Sequence, residues 1–188
     1  MRKITVFEWI SLDGVFDADP KYFSKWYLPY HSDSRAKCIR KTIEGANALL
    51  FGGTTYEMLA PYWSAQTNDD NGPARALNSL PKYVVSTTIT RPIWQNTEKI
   101  ISKNVEKEIA AIKEQGDGYV LVSGSATLVA SLLKANFLDE FRFLMHPYIV
   151  NEGRRLFADN MPESALELTA AKPLDLGVVM LDYLVNMK

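Results

Sequence analysis

One pattern occurs twice in this chain: an apolar strand ends on glycine, small hydroxyl residues follow, and a helix begins. The copies are Ala48-Leu49-Leu50-Phe51-Gly52-Gly53-Thr54-Thr55-Tyr56-Glu57-Met58-Leu59 and Tyr119-Val120-Leu121-Val122-Ser123-Gly124-Ser125-Ala126-Thr127-Leu128. A helix N-terminus carries backbone N–H groups without intrahelical partners, and a glycine before it lets a phosphate approach with no Cβ in the way. Glycine also eases any tight strand-to-helix turn, so one copy alone is explained by geometry. If both strands lie in one largely parallel sheet, both seats fall on its carboxyl edge, where open α/β sheets bind ligands. Two seats on one edge suggest a ligand with several phosphates, such as a dinucleotide.

The remaining pattern is a βαβ series with a different ending. Ile4 to Ile10 reads as an interior strand, with Ile4, Val6, Glu8 and Ile10 on one face and Thr5, Phe7 and Trp9 on the other. From Ser11 to about Pro29 the pattern breaks into a long aromatic loop. Ala36, Ile39 and Ile43 mark an amphipathic helix, capped by Asp33 or Ser34 and stopped by Gly45. After the first seat, Thr55 to about Leu59 predicts a short helix limited by Pro61, and Ser64 to Asn78 a polar loop. Strands follow at Lys82–Ser86 and around Ile100-Ile101, then a helix striped by Val105, Ile109 and Ile112. After the second seat, its helix turns Leu128, Val129, Leu132 and Leu133 inward. Asp139 to Val150 is a strand in which Pro147 marks a bulge or an edge, and His146 reads as a sheet-edge residue. Leu166–Lys172 and Val178–Asn186 form an antiparallel hairpin. The expected fold is α/β, a three-layer α-β-α sandwich on a mixed, mainly parallel sheet with a C-terminal hairpin.

At 188 residues, 47% hydrophobic and 23% charged, the chain suits one well-filled core, so residues 1–188 read as a single domain. The net charge is −1, from 21 Lys+Arg against 22 Asp+Glu, which lacks the basic footprint of a duplex-DNA binder. Neither a signal-peptide core nor an apolar run long enough to span a bilayer is present, so membrane partners are not expected and the cytoplasm is. One cysteine, Cys38, and two separated histidines, His31 and His146, argue against a structural metal. Cys38 reads as a small residue on a helix.

Glu8 is the first candidate for chemistry. A carboxylate on an otherwise apolar strand must be paired, solvated in a cleft or protonated, and the last state makes a general acid. Asp13 precedes Gly14 in a turn that needs no chemistry to explain it, and Asp33 on position alone reads more readily as a helix cap than as a catalytic acid. Tyr22, Phe23, Trp26, Tyr27 and Tyr30 could stack a flat substrate or close the core under a loop.

Taken in order, Ser11-Leu12-Asp13-Gly14, Leu50-Phe51-Gly52-Gly53-Thr54-Thr55-Tyr56-Glu57, Tyr83-Val84-Val85-Ser86 and Val122-Ser123-Gly124-Ser125 resemble the dihydrofolate reductase-like superfamily. Within it, the chain is most similar to the branch of the reductase domain of the riboflavin-biosynthesis deaminase/reductase. The resemblance runs through nearly the whole chain and implies an NADPH-dependent reductase, often dimeric, acting on a small pterin-like or riboflavin-precursor-like heterocycle. Gly53, Thr54 and Thr55 would receive the pyrophosphate and adenosine side, and Ser86 and Thr87 would flank the adenosine and its 2′-phosphate. Lys82 and Arg91 would add positive charge there. Ser123, Gly124, Ser125, Ala126 and Thr127 would wrap the pyrophosphate and nicotinamide ribose, and Ile10, Asp13, Gly14 and Phe16 would lie near the nicotinamide. Family members often carry two glycines joined by a cis peptide at Ser123-Gly124, and Ser123 departs from that pattern. In true dihydrofolate reductases a carboxylate holds the pterin. The string Trp26-Tyr27-Leu28-Pro29-Tyr30-His31 is similar to the segment leading to that acid but places His31 there, with Asp33 two residues later. Trp26, His31 and Asp33 are thus the substrate candidates, with Glu8 or Asp13 relaying a proton. The alternative is a nucleotide-binding module without turnover, used in regulation or assembly. Apolar groups on both faces of the C-terminal strands, with Phe141, Phe143 and Met145 as neighbours, predict a homodimer.

Overall fold

A computed structural model describes residues 1–66, 73–157 and 161–186. Its eight strands form one sheet in the order β4-β3-β2-β5-β1-β6-β8-β7. These are β1 (Lys3–Ser11), β2 (Ala48–Gly52), β3 (Lys82–Val85), β4 (Thr97–Ile101), β5 (Tyr119–Val122), β6 (Glu140–His146), β7 (Ala165–Pro173) and β8 (Val179–Asn186). The pairs from β4 through β6 are parallel, whereas β8 pairs antiparallel with both β6 and β7. The mixed sheet and terminal hairpin follow the sequence pattern.

Helices cover both faces. Packed in one core are α5 (Val105–Lys113) and α6 (Ala126–Lys134), through Ile109, Ile112, Leu128, Val129, Leu132 and Leu133, against Ile4, Val6 and Ile10 of β1. The opposite core gathers Ile43 from α2 (Asp33–Glu44), Tyr56 and Ala60 from α3 (Gly53–Ser64) and Leu77 from α4 (Ala74–Ser79) around Phe7, Leu49 and Phe51. Strand alternation sends successive β1 side chains into different cores, as an interior strand requires.

Four local expectations need correction. The aromatic loop after β1 contains α1 (Pro20–Trp26) and a 3₁₀ turn at Leu28–Tyr30. The signal was Asp19-Pro20: Asp19 accepts the Lys21 N–H at 2.8 Å, and proline fits the first helical turn. At α2 the cap is Ser32, which accepts from Arg35 N–H at 3.3 Å; Asp33 is already helical. Helix α3 runs through Pro61 to Ser64. An interior proline costs about 3 kcal/mol, but Tyr56 on the same helix is fully buried. Its hydroxyl accepts from Ile93 N–H (3.1 Å) and Trp94 N–H (2.9 Å) and meets Thr97 Oγ1 at 2.8 Å, which anchors the helix on its neighbours. The expected polar loop from Ser64 to Asn78 includes most of α4, and its residues 67–72 lie outside the described residues.

Strand β6 ends at His146, immediately before Pro147, and lies between β1 and β8. His146 is therefore fully buried in the sheet interior and not at an edge. Phe141 and Phe143 are likewise core residues at 1% and 3% exposure, so they add nothing to a surface patch. No helix among the described residues is long and apolar enough to cross a membrane.

Lys82 corrects a further expectation. It opens β3 at the strand's amino end, is fully buried, and donates to the carbonyls of Asn78 (3.3 Å), Leu80 (2.8 Å) and Gln95 (3.1 Å). Its ammonium lies 5.0 Å over the Trp94 ring, and burial pulls its pKa down to about 8. It joins loops at the wrong end of the sheet for a phosphate. Lys82→Ala, which strips three carbonyls of their donor and empties a buried site, is expected to cost about 2–3 kcal/mol of stability. Urea unfolding at neutral pH measures this, and an unchanged midpoint would contradict the structural assignment.

Candidate functional site

The two glycine seats come together at the carboxyl edge of adjacent strands. β2 and β5 pair in register, and beyond their ends the Gly52 N–H donates to the Gly124 carbonyl at 3.3 Å. A Cβ on Gly52 would stand 2.7 Å from Ser125 Oγ, one on Gly53 2.8 Å from Ser86 Oγ, and one on Gly124 2.5 Å from Thr55 Oγ1. The hydroxyls expected to surround a dinucleotide thus press on the glycines of the neighbouring seat. Gly124 also has φ +56°, a conformation that favours glycine, and the adjoining Gly124–Ser125 peptide is cis. The cis bond lies one residue beyond the Ser123-Gly124 position that the resemblance implied.

The two helix starts are not equivalent. Ser125 caps α6 by accepting from Leu128 N–H at 3.4 Å, whereas α3 begins at Gly53 with no side-chain cap. Its first N–H groups retain their capacity for an anion. Thr54 is exposed and Thr55 half-buried on that first turn. Ser86 lies just past β3, where its Oγ accepts from Thr88 N–H (3.2 Å) and Ile89 N–H (3.1 Å); Thr87 beside it is exposed. Ser123 and Ala126 are half-buried and Thr127 is exposed. The donor set fits a pyrophosphate: an uncapped helix start, glycines on the approach and the hydroxyls of Thr55, Ser86 and Ser125 beside them.

Glu8 lies under this loop. It is 7% exposed, and its Oε1 accepts the Gly124 N–H. Burial pushes the carboxyl up to about 8, and the bond from Gly124 opposes this only in part. At neutral pH Glu8 is mostly protonated, the third of the states open to it from sequence. Asp13 is the reverse. Burial raises its pKa, but donation from Ser11 Oγ (2.7 Å), Val150 N–H (3.0 Å) and Asn151 N–H (2.9 Å) outweighs that and brings it to about 2. It therefore has no proton to give near neutrality, and it fastens the turn after β1 to the segment following β6. Gly14, at φ +79°, and Phe16 belong to the same join through Leu156 N–H to Gly14 O (3.1 Å) and Phe16 N–H to Arg154 O (3.0 Å). Ile10 is buried in the core beside α6.

The substrate candidates separate. His31, at the end of the 3₁₀ turn, and Asp33, in the first turn of α2, are both exposed. Trp26 is fully buried, with its ring 5.2 Å from that of His146. Sequence reasoning missed the residue at the centre of this group, Arg35. It is 2% exposed, lies 4.2 Å over the Tyr27 ring, and its Nη1 donates to Tyr27 O at 2.8 Å and meets His146 Nε2 at 3.3 Å. The signal was present: Arg35 stands four and eight residues before Ile39 and Ile43, within the apolar stripe. Burial, then the nearby guanidinium, lower His146 to about 4, so its ring is neutral at pH 7.

The sequence matches the RibD C-terminal domain family over residues 2–180. Among solved structures, the fold is similar to that of a putative riboflavin biosynthesis protein from Shewanella sp. PV-4, at 17% identity and a TM-score of 0.70, covering 98% of this chain and 99% of that one. It is similar to the Thermotoga maritima diaminohydroxyphosphoribosylaminopyrimidine deaminase/5-amino-6-(5-phosphoribosylamino)uracil reductase, at 16% identity and a TM-score of 0.69, covering 98% of this chain and 57% of that longer one. It also resembles Enterococcus faecalis dihydrofolate reductase complexed with NADP(H), at 18% identity and a TM-score of 0.59, covering 98% and 97%.

Glu8 sets a pH dependence whose sign follows from its raised pKa. Between the ordinary value of 4.5 and about 8 the folded chain holds a proton that the unfolded chain has lost, so Glu8 makes stability fall as pH rises through that window. Glu8→Gln keeps an acceptor for Gly124 and removes the titration. Its stability relative to the parent chain is expected to increase from pH 5 to pH 8.5 in parallel urea unfolding, and a pH-independent difference would contradict a protonated Glu8.

Proposed function

The chain belongs to the RibD C-terminal domain family, and from that premise we propose that it is a nicotinamide-dependent reductase using NADPH on a small planar heterocycle. The observation that carries the reading is the Gly52–Gly124 bond, which joins two glycine seats at one strand edge beside an uncapped helix start. When bound, the nicotinamide supplies the hydride. The chain's own contribution is placement: Gly53, Thr54 and Thr55 would hold the pyrophosphate, and Ser86 and Thr87 the adenosine side. Ser123, Gly124, Ser125, Ala126 and Thr127 would hold the nicotinamide side, with Ile10 nearby. With Lys82 buried elsewhere, Arg91, exposed after β3, is the remaining cation of the two named for a 2′-phosphate.

Glu8 is a positioning residue in this scheme. Alternation along β1 puts it on the face opposite Trp9, where its contact is Gly124 of the cofactor loop. Holding the loop with a protonated carboxyl avoids setting a second negative charge beside a pyrophosphate.

Gly53→Val tests the seat without the positive-φ strain of Gly124; its added Cβ would meet Ser86 Oγ at 2.8 Å and Ser86 Cβ at 3.1 Å, so the Ser86 turn has to give by a few tenths of an ångström. The variant is expected to fold and to bind NADPH at least tenfold more weakly, about 1.4 kcal/mol, by fluorescence titration. Equal affinity in parent and variant would remove the assignment. Steady NADPH oxidation with any member of a panel of pterins, flavin precursors and quinones separates a reductase from a silent binding module.

We propose also that two chains pair through the hairpin. β8 is only half-buried along seven of its eight residues and β7 is exposed at all but one, with Leu166 and Leu168 at 37% and 52% exposure. An apolar edge of this kind is normally covered. Light scattering after size exclusion at micromolar concentration should give twice the single-chain mass, and the mass of one chain would refute the pairing.

A further inference from the structure

Three buried side-chain nitrogens lacking an acceptor surround one tyrosine: Trp9 Nε1, Trp26 Nε1 and Arg35 Nε. Trp9 and Trp26 have ring centres 4.9 and 6.1 Å from that of Tyr27, and the Arg35 guanidinium lies 4.2 Å over the same ring. All three are donors only. Arg35 has a carbonyl and a neutral imidazole on Nη1, and none of the ion pairs among the described residues includes it. A buried guanidinium without a counter-charge is costly, and each unpaired buried N–H adds to that cost. The group lies at the carboxyl edge of the sheet, since Trp9 is two residues from the end of β1 and His146 pairs with Ser11, the last residue of that strand. It thus shares an edge with the cofactor loop while facing away from Glu8.

We propose that Arg35, Trp9 and Trp26 form the substrate-recognition site and that they take a planar compound bearing one anionic oxygen group, a carboxylate or an ionised ring oxygen. The inference rests on the reductase reading for the word substrate; the anion site itself does not. The Nε edge of Arg35 forks a carboxylate, and the two indole N–H groups supply neutral donors to its remaining lone pairs. One guanidinium among aromatic rings matches a monoanion; a phosphate dianion would need more positive charge. Tyr27, carried between α1 and the 3₁₀ turn and stacked on Phe23 at 4.1 Å, is the ring that yields its place to the ligand's. Only the Tyr27 ring has to turn aside, while Trp26 and the Tyr27 carbonyl that accepts from Arg35 keep their places.

The test is calorimetric titration of the full chain, with and without saturating NADPH, using 2-naphthoate, its neutral isostere 2-naphthamide, and inorganic phosphate. Naphthoate is expected to bind saturably and at least tenfold more tightly than naphthamide or phosphate. Arg35→Gln should weaken naphthoate at least tenfold. Trp26→Phe, which keeps the ring and removes the donor, should weaken it severalfold and guards against a misfolded Arg35 variant. Absence of naphthoate binding, equal affinity for acid and amide, phosphate binding as tightly, or indifference to both substitutions would each overturn the proposal. If NADPH binds and naphthoate does not, this site is wrong and the reductase reading stands. Naphthoate binding through Arg35 without NADPH binding supports the anion site and removes the reductase reading.

Discussion

The bond between the Glu8 carboxyl and the Gly124 N–H ties the loop between β5 and α6 to β1 in the sheet interior, and much of the candidate site depends on it. Gly124 sits at φ +56°, a left-handed conformation that favours glycine. Glu8 meets one polar group of that loop from below, and Gly52 meets another, the Gly124 carbonyl, from the side. With its N–H and C=O both engaged, Gly124 has no freedom to drift toward the space in front of α3. That leaves the uncapped N-terminus of α3 facing a boundary of fixed shape.

The fold was legible because its signals are periodic and local. Interior β1 showed two apolar faces, the helices α5 and α6 showed single stripes, and the hairpin announced itself by Pro173 to Gly177 between two strand-like runs. The misreadings have definite causes. Asp19-Pro20 is a helix start that aromatic composition concealed. Pro61 was given its usual veto, although Tyr56 anchors α3 strongly enough to carry the helix past it. At the site, Gly52, Gly53, Gly124 and the hydroxyls around them could be found because each sits in a turn motif. The bond that fuses the seats could not, since it joins residues seventy-two positions apart, 52 and 124. Lys82 shows the limit of reasoning by nearness in sequence: it is four residues from Ser86, and a strand of that length puts them at opposite ends of β3.

β1 divides the labour of the molecule by alternation. Glu8 serves the loop on one face and Trp9 enters the aromatic group on the other, with α2 supplying Arg35 to the latter. Both lie near the same carboxyl edge, so a hydride donor and an acceptor held on the two sides would meet at the end of a single strand. Asp13, next beyond that end, fixes where the strand stops by gathering N–H groups from the segment after β6.

Four buried ionisable groups show how structure and function can be told apart on physical grounds. Lys113 pairs with Asp139 and donates to Phe137 O; Lys82 spends its ammonium on three carbonyls; Glu8 gives up its charge. Each of the three has a partner or a neutral form that offsets the cost of burying a charge. Arg35 is the exception, because a guanidinium does not deprotonate at accessible pH and its Nε has no acceptor. Arg35 stays inside, over the same Tyr27 ring that two indoles lacking acceptors pack against, and the proposed anion site rests on that grouping of donors.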